Sequence, residues 1–256
     1  MTPATFKRSI RDLQVWCSSC MVAFSGSDPI GVLIGAKRPS GTLIHKIAVH
    51  PDHLRQGHGR HLLTSLGSKL AILGPPRMIA EIHETLSPAC GLFSASGYVE
   101  EALLTDYVLQ PGEDQVREVD AHDGRFLIPA TVDDLAANGL LGETHPHVCW
   151  ERSVETLMAR KDDLSGLAVT SGERIEACLL YIDRGADGAK VMSLRSFVED
   201  GGARLGQLLA QLRARGPGTI RFPKVHAEEI SKDFLGAFGF RPAGRHRLYA
   251  AKARSA

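Results

Sequence analysis

What the chain lacks narrows its possible classes first. No apolar run approaches the length needed to cross a bilayer, and Met1 to Gln14 is polar where a secretory signal needs an apolar core. Neither sign of charge dominates. The 30 basic and 29 acidic side chains leave a net charge of +1, without the basic excess typical of nucleic-acid or anionic-membrane binders. Cysteine is scarce, at 5 in 256 residues, and does not form a disulfide framework. Cys17-Ser18-Ser19-Cys20 has the spacing of half a zinc site, but Cys90, Cys149 and Cys178 offer no second pair. His145-Pro146-His147-Val148-Cys149 carries metal-binding side chains, yet no acidic or histidine partner is spaced in sequence to complete a site. It reads as a loop, and no metal is expected. A cytoplasmic location with neither membrane nor nucleic-acid partner fits these absences.

Composition is otherwise that of an ordinary globular protein, with 43% hydrophobic and 23% charged residues, and the length allows one large domain or two smaller ones. One segment stands apart. Ile47 to Leu63 reads as a short apolar strand, a tight turn after Pro51, a glycine-spaced loop and the start of an amphipathic helix. Gly57 and Gly59 have no Cβ, so the backbone there can turn sharply and approach a ligand closely. The helix that follows opens with amides that lack intrahelical partners and sit at the positive end of its dipole, which makes an anion cradle. The loop lacks the Lys-Ser/Thr of a nucleoside-triphosphate loop and the three-glycine spacing of a dinucleotide fold.

Val49-His50-Pro51 followed by Leu54-Arg55-Gln56-Gly57-His58-Gly59 resembles motif A of the GCN5-related N-acetyltransferases (GNAT), Val-x-Pro followed by Arg/Gln-x-x-Gly-x-Gly/Ala. Leu54 stands where that family usually carries Arg or Gln. Ala89-Cys90-Gly91-Leu92-Phe93-Ser94-Ala95-Ser96-Gly97-Tyr98 resembles motif B of the same family, Ala-x-x-Leu-Tyr-x-x-x-Gly-Phe, with Phe93 at the tyrosine. The two motifs lie at a compatible separation.

The plan repeats. Strand candidates at 31–36, 42–49 and 77–82, a helix marked by Leu62, Leu63, Leu66 and Leu70, a short helix from Pro88 to Gly97 and a strand at 103–109 fill the first half. A polar linker spans 111–124. Strands are then expected from Arg125, at 167–170 and 176–182 around a turn at 171–173, and at 190–197, 219–222 and 248–251. Thr131 reads as a helix cap, Trp150 to Ala159 as one helix, and Leu205, Leu208, Leu209 and Leu212 as the stripe of another. Phe234 to Phe240 looks like a second motif B.

The resemblance implies an α/β (α+β) protein with two tandem GNAT-like domains, residues 1–112 and 123–256, each a mixed, mostly antiparallel twisted sheet flanked by helices. The second copy has no Val-x-Pro, and its loop, Glu199-Asp200-Gly201-Gly202-Ala203-Arg204, sets two carboxylates against an incoming phosphate. It reads as degenerate.

The implied chemistry is transfer of an acetyl group from acetyl-CoA to a primary amine on a small molecule or a peptide N-terminus, by a monomer or homodimer. Carried over from the family, the backbone of Ile47, Ala48 and Val49 aligns the pantetheine arm. Leu54, Arg55, Gln56, Gly57, His58, Gly59 and Arg60 take the phosphates, Arg55 and Arg60 adding charge. His45 is the candidate base, and its ordinary pKa near 6.5 suits proton removal. Glu81 and His83 share a strand face and are candidates to order a proton-relaying water. With Phe93 unable to donate a proton, Tyr98, Tyr107 or water is expected to serve the leaving thiolate. The acceptor cleft, short of sequence in the first half, is expected to draw on the second half or another subunit. The alternative class is an acyl-CoA sensor without turnover.

Overall fold

The computed structural model describes residues 3–112, 126–142, 145–172, 174–216 and 218–253. The chain divides into two compact units, one of Met1–Leu103 with Arg245–Ala256 and one of Leu104–Gly244. Among the described residues no helix is long and apolar enough to cross a membrane.

In the first unit, α1 (Pro3–Leu13) leads to β1 (Met21–Ser25), β2 (Asp28–Arg38), β3 (Gly41–Val49), α2 (His58–Leu73), β4 (Arg77–His83) and α3 (Ser87–Ala95). A two-residue turn at Pro39 and Ser40 joins β2 to β3 as an antiparallel hairpin. β3 then crosses through α2 to the parallel strand β4. The leucine stripe expected of α2 is buried, with Leu62, Leu63, Leu66 and Leu70 against Leu33 and Ile44 of the sheet and Met78 and Ala80 of β4. Each such leucine stabilises the unit by roughly 1.5–3 kcal/mol relative to exposure. Gly74 ends the helix, its N–H donating to the Leu70 carbonyl at 3.0 Å.

β5 (Val99–Leu109) begins in the first unit and continues into the second. The second unit also holds β6 (Phe126–Pro129), α4 (Val132–Ala137), α5 (Val154–Ala159), β7 (Ser165–Ser171), β8 (Arg174–Asp183), β9 (Ala189–Ser196), α6 (Ala203–Ala214), β10 (Ile220–His226) and α7 (Lys232–Ala237). Thr131 caps α4 as expected. Its Oγ1 accepts from Asp134 N–H at 3.1 Å, and the Asp134 carboxylate accepts from Thr131 N–H at 2.8 Å. The single helix expected over 150–159 is instead a 3-10 turn at Trp150–Arg152 and then α5, because Ser153 takes an extended conformation between them. β6 to β10 repeat the first unit's plan, including antiparallel hairpins and a parallel β9–α6–β10 crossover.

The units do not follow a single cut at the linker. β11 (Arg241–Lys252) runs back into the first unit, where it pairs antiparallel with β4 from His246 opposite His83 to Lys252 opposite Arg77. Tyr249 and Ala251 join the first unit's core, Tyr249 stacking on Phe93 at 6.0 Å. Conversely, Leu104 to Leu109 of β5 pairs antiparallel with β10 in the second unit. The sheet of the first unit therefore runs β1-β2-β3-β4-β11 and that of the second β5-β10-β9-β8-β7-β6, both mixed and mostly antiparallel. Each half of the sequence closes the other's sheet. Residues 113–124 of the linker, Arg125, and Glu173 of the expected turn lie outside the described residues.

Candidate functional site

β3 and β4 pair only at Thr42 with Met78 and Leu43 with Ile79 among the described residues, so the edge of β3 from Ile44 onward diverges from β4. Opposite that divergence, β3 carries a β-bulge. Ile34 faces Lys46 and Gly35 faces Ile44, which makes His45 the extra residue. The strand then ends at Val49. A 3-10 turn at Pro51–His53 follows, Arg55 adopts φ 63°, and Gly57 caps α2 at φ 89°. The left-handed Gly57 is where a glycine is needed, and space around its missing Cβ is open.

A cavity of about 690 Å³ opens at this helix start. Val49, His53, Leu54, Arg55, Gly57, His58, Gly59 and Arg60 line one side, and Ser87, Pro88, Gly91, Leu92 and Ala95 of α3 the other. None of these is a carboxylate, and two are arginines. The first amides of α2 have no intrahelical acceptor, the first ladder bond being His61 N–H to the Gly57 carbonyl at 2.9 Å. An anion fits such a wall on three counts: free donors, the helix dipole and the cationic rim.

Of the residues expected to take the cofactor, Val49, Leu54, Arg55, Gly57, His58, Gly59 and Arg60 line this cavity. Gln56 does not. Its Nε2 donates to the Asp52 carbonyl at 3.1 Å and braces the turn. Ile47 packs toward the core under α2, and Ala48 pairs with Val32 of β2. The α3 side of the cavity was missed by sequence reasoning, which treated that helix as a motif to be matched rather than a wall.

Glu81 and His83 share one face of β4, half-buried. His83 Nδ1 lies 2.7 Å from Thr85 Oγ1 and accepts from Thr85 N–H at 3.4 Å. The ring of His246 meets it edge-on at 4.9 Å. Tyr98, expected to stand in as a proton donor, lies instead in the core. Its hydroxyl donates to the Met78 sulfur at 3.6 Å, its ring packs edge-on against the fully buried Phe93, and burial pushes its pKa up. Tyr98 does not line the cavity, and Tyr107 is in the core of the second unit.

The second unit has the same local backbone with different side chains. Gly202 caps α6 at φ 87°, as Gly57 caps α2. Two residues on, Arg204 replaces the glycine found at Gly59. Asp200 fills the helix start, its Oδ1 accepting from Gly202 N–H at 2.9 Å and its Oδ2 from Arg204 N–H at 2.8 Å and Arg204 Nη1 at 2.9 Å. The Phe234 ring stands 2.6 Å from where a Gly202 Cβ would be. Met192, fully buried, is the bulge residue where the first unit has His45. The Asp200 carboxylate thus takes up the first free amides of this helix start itself.

Burial opposes ionisation of Asp200, but the amides and guanidinium outweigh it and hold its carboxyl below the ordinary range. Asp200→Ala is expected to cost about 1–2 kcal/mol at neutral pH, as a lost helix cap does. Because the folded-state pKa is depressed, that difference is full above about pH 5 and closes as pH falls through the folded value, below about pH 4. Urea unfolding of both proteins across that range measures it. A gap unchanged at low pH would show that the carboxylate's charge is not what caps α6.

Residues 2–98 match the model of the acetyltransferase (GNAT) family. No curated protein sequence matches the chain. Among solved structures, the tandem GNAT protein from the clavulanic acid biosynthesis pathway is similar with a TM-score of 0.67 and 18% identity, over 96% of this chain and 87% of that one. A GCN5-related N-acetyltransferase from Sphaerobacter thermophilus gives 0.66 and 15% identity, over 97% and 85%. One from Anabaena variabilis gives 0.68 and 11%, over 99% and 67%. Residues 2–98 are thus similar to the GNAT family, whose members are acyltransferases, and the chain as a whole has the fold of tandem GNAT proteins.

Proposed function

We propose that the protein transfers an acetyl group from acetyl-CoA to an amine, on a small molecule or a peptide N-terminus, at one site in the first unit. The carboxylate-free, arginine-rimmed cavity at the start of α2 carries this reading. Amides from Gly57 to Arg60 hold the pyrophosphate, each charge-assisted hydrogen bond contributing about 1.5–3 kcal/mol. Arg55 and Arg60 pair with the remaining phosphate, and the backbone edge of β3 from Ile47 to Val49 aligns the pantetheine arm beside its divergence from β4. The capped and filled start of α6 supports a single site.

In this reading the amine nitrogen attacks the thioester carbonyl, the C–N bond forms as the C–S bond breaks, and the amine's proton passes to His45. Glu81 or His83, on one face of β4, orders a water between the two. The departing thiolate takes its proton from water, since neither Tyr98 nor Phe93 lines the cavity. That absence of a tyrosine also favours the second reading, a protein that binds acyl-CoA and responds to it without turnover.

Free-thiol release from acetyl-CoA across a panel of aminoglycosides, polyamines, amino acids and peptides separates the two. Release with one class of amine supports the transferase. Thermal stabilisation by CoA with no release supports the sensor, and no stabilisation at all overturns both. His45→Ala is expected to lower kcat by about 10²–10⁴-fold with CoA affinity unchanged. Normal turnover in that variant would remove His45 as the base.

A further inference from the structure

The loop at 145–149, which lacks a metal-completing partner in the sequence, finds one in the fold. His226, at the end of β10, meets His145 and His147. Ring centroids lie 4.4 Å apart for His145 and His226, 5.1 Å for His147 and His226, and 5.2 Å for His145 and His147. One ring nitrogen from each lies within 4.8 Å of the others.

The cluster is held from both sides. Arg152, fully buried just after the loop, donates to Glu229 through Nη1 at 2.6 Å and Nη2 at 2.5 Å, and through Nη2 to the Lys224 carbonyl at 3.1 Å. Those bonds tie the loop to the residues flanking His226. Nδ1 of His145 accepts from His147 N–H at 3.1 Å and Nδ1 of His226 from Glu228 N–H at 3.3 Å, contacts that a metal ion on those nitrogens would displace. The Glu228 carboxylate holds the other nitrogen of His145, Nε2. Nδ1 of His147 is buried and takes no hydrogen bond. Leaving such a nitrogen unsatisfied is costly.

We propose that His145, His147 and His226 bind one divalent transition-metal ion, zinc fitting best, with Glu228 as the outer partner that orients His145. Three neutral imidazoles suit zinc, and a carboxylate on the far nitrogen of a metal-bound histidine fixes its tautomer and raises its basicity. Tetrahedral zinc at about 2.0–2.1 Å from each nitrogen brings the donors to about 3.3 Å of one another. Small rotations of three half-buried rings supply that contraction. The fourth position is left to water. The site is independent of the CoA reading, because all its ligands belong to the second unit.

The test uses the full-length, untagged protein after dialysis against a chelator. Calorimetric titration with zinc is expected to show one ion per chain. Cobalt substituted for zinc is expected to give d–d bands of four-coordinate intensity without thiolate charge transfer. His147→Gln and His226→Gln should each weaken zinc binding by at least about 100-fold, and Glu228→Gln by about 10–100-fold. Zinc binding undiminished in the triple variant His145→Gln, His147→Gln, His226→Gln overturns the proposal. If that variant does not fold, the wild-type cobalt spectrum decides: four-coordinate bands support the site, and their absence overturns it.

Discussion

Gly59→Glu is expected to lower CoA affinity by about 100-fold or more while leaving the protein folded. The carboxylate would sit on the first turn of α2, where the pyrophosphate is proposed to bind. A unit charge pair about 4 Å apart costs about 4 kcal/mol at the screening typical of a protein surface. The fold has reasons to tolerate the change. A side-chain Cβ at this position meets the flexible end of Leu92 at 3.1 Å, which needs a few tenths of an ångström of movement. An acidic residue in a helix's first turn also stabilises it, by about 0.3–1 kcal/mol. Gly59→Ala separates charge from bulk. It adds the same Cβ without the carboxylate and is expected to keep most of the affinity. Calorimetry with CoA and thermal melts of both variants provide the comparison, and CoA binding by Gly59→Glu at wild-type strength would remove the α2 start as the phosphate site.

The second large effect concerns β11. Tyr249→Ala is expected to destabilise the protein by about 3–5 kcal/mol, the usual cost of deleting a buried aromatic ring. Its ring is buried between the sheet and α3 and stacks on Phe93. That loss is a large share of the roughly 5–15 kcal/mol by which a domain is stable. A chain ending at Gly112 goes further. It removes the whole partner of β4 from Arg77 to His83 and leaves that strand as an unpaired edge with the Phe93 side of the core open. It is expected to show no cooperative unfolding transition and to aggregate. A sharp urea transition in residues 1–112 alone would show that β11 is dispensable, contrary to the pairing.

This second result bears on the acceptor. The first unit is not residues 1–112 alone, because the structure gives it a strand from the end of the chain. Loss of activity in the isolated half would therefore report unfolding and carry no information about the acceptor cleft. The full chain is the right material for locating the amine.

The anion cradle was legible in the sequence because everything that makes it is contiguous. A left-handed Gly57, a second glycine without a Cβ at 59 and a helix start following directly are decided within a few residues. The caps at Thr131 and Asp200 are local in the same way, since a side chain reaches an amide two to four positions on. Burial depth is different. Spacing placed Tyr98 near motif B but could not show that its hydroxyl turns toward Met78, because that depends on what packs above it.

Strand partnership is different again. The apolar run Leu248-Tyr249-Ala250-Ala251 says nothing about which edge that strand joins. Hydrogen-bond ladders are alike in any sheet, so the choice of β4 as partner was settled by fit with a core more than 150 residues earlier in the chain. The same long-range packing set His246 against His83 and His226 against His145 and His147. The sequence by itself determined the glycine-capped start of α2, since that follows from short-range backbone chemistry, and its two motifs carried the resemblance that implied the fold. Only the tertiary structure decided how the halves share strands and where histidines gather, because those depend on contacts between distant residues that no local pattern encodes.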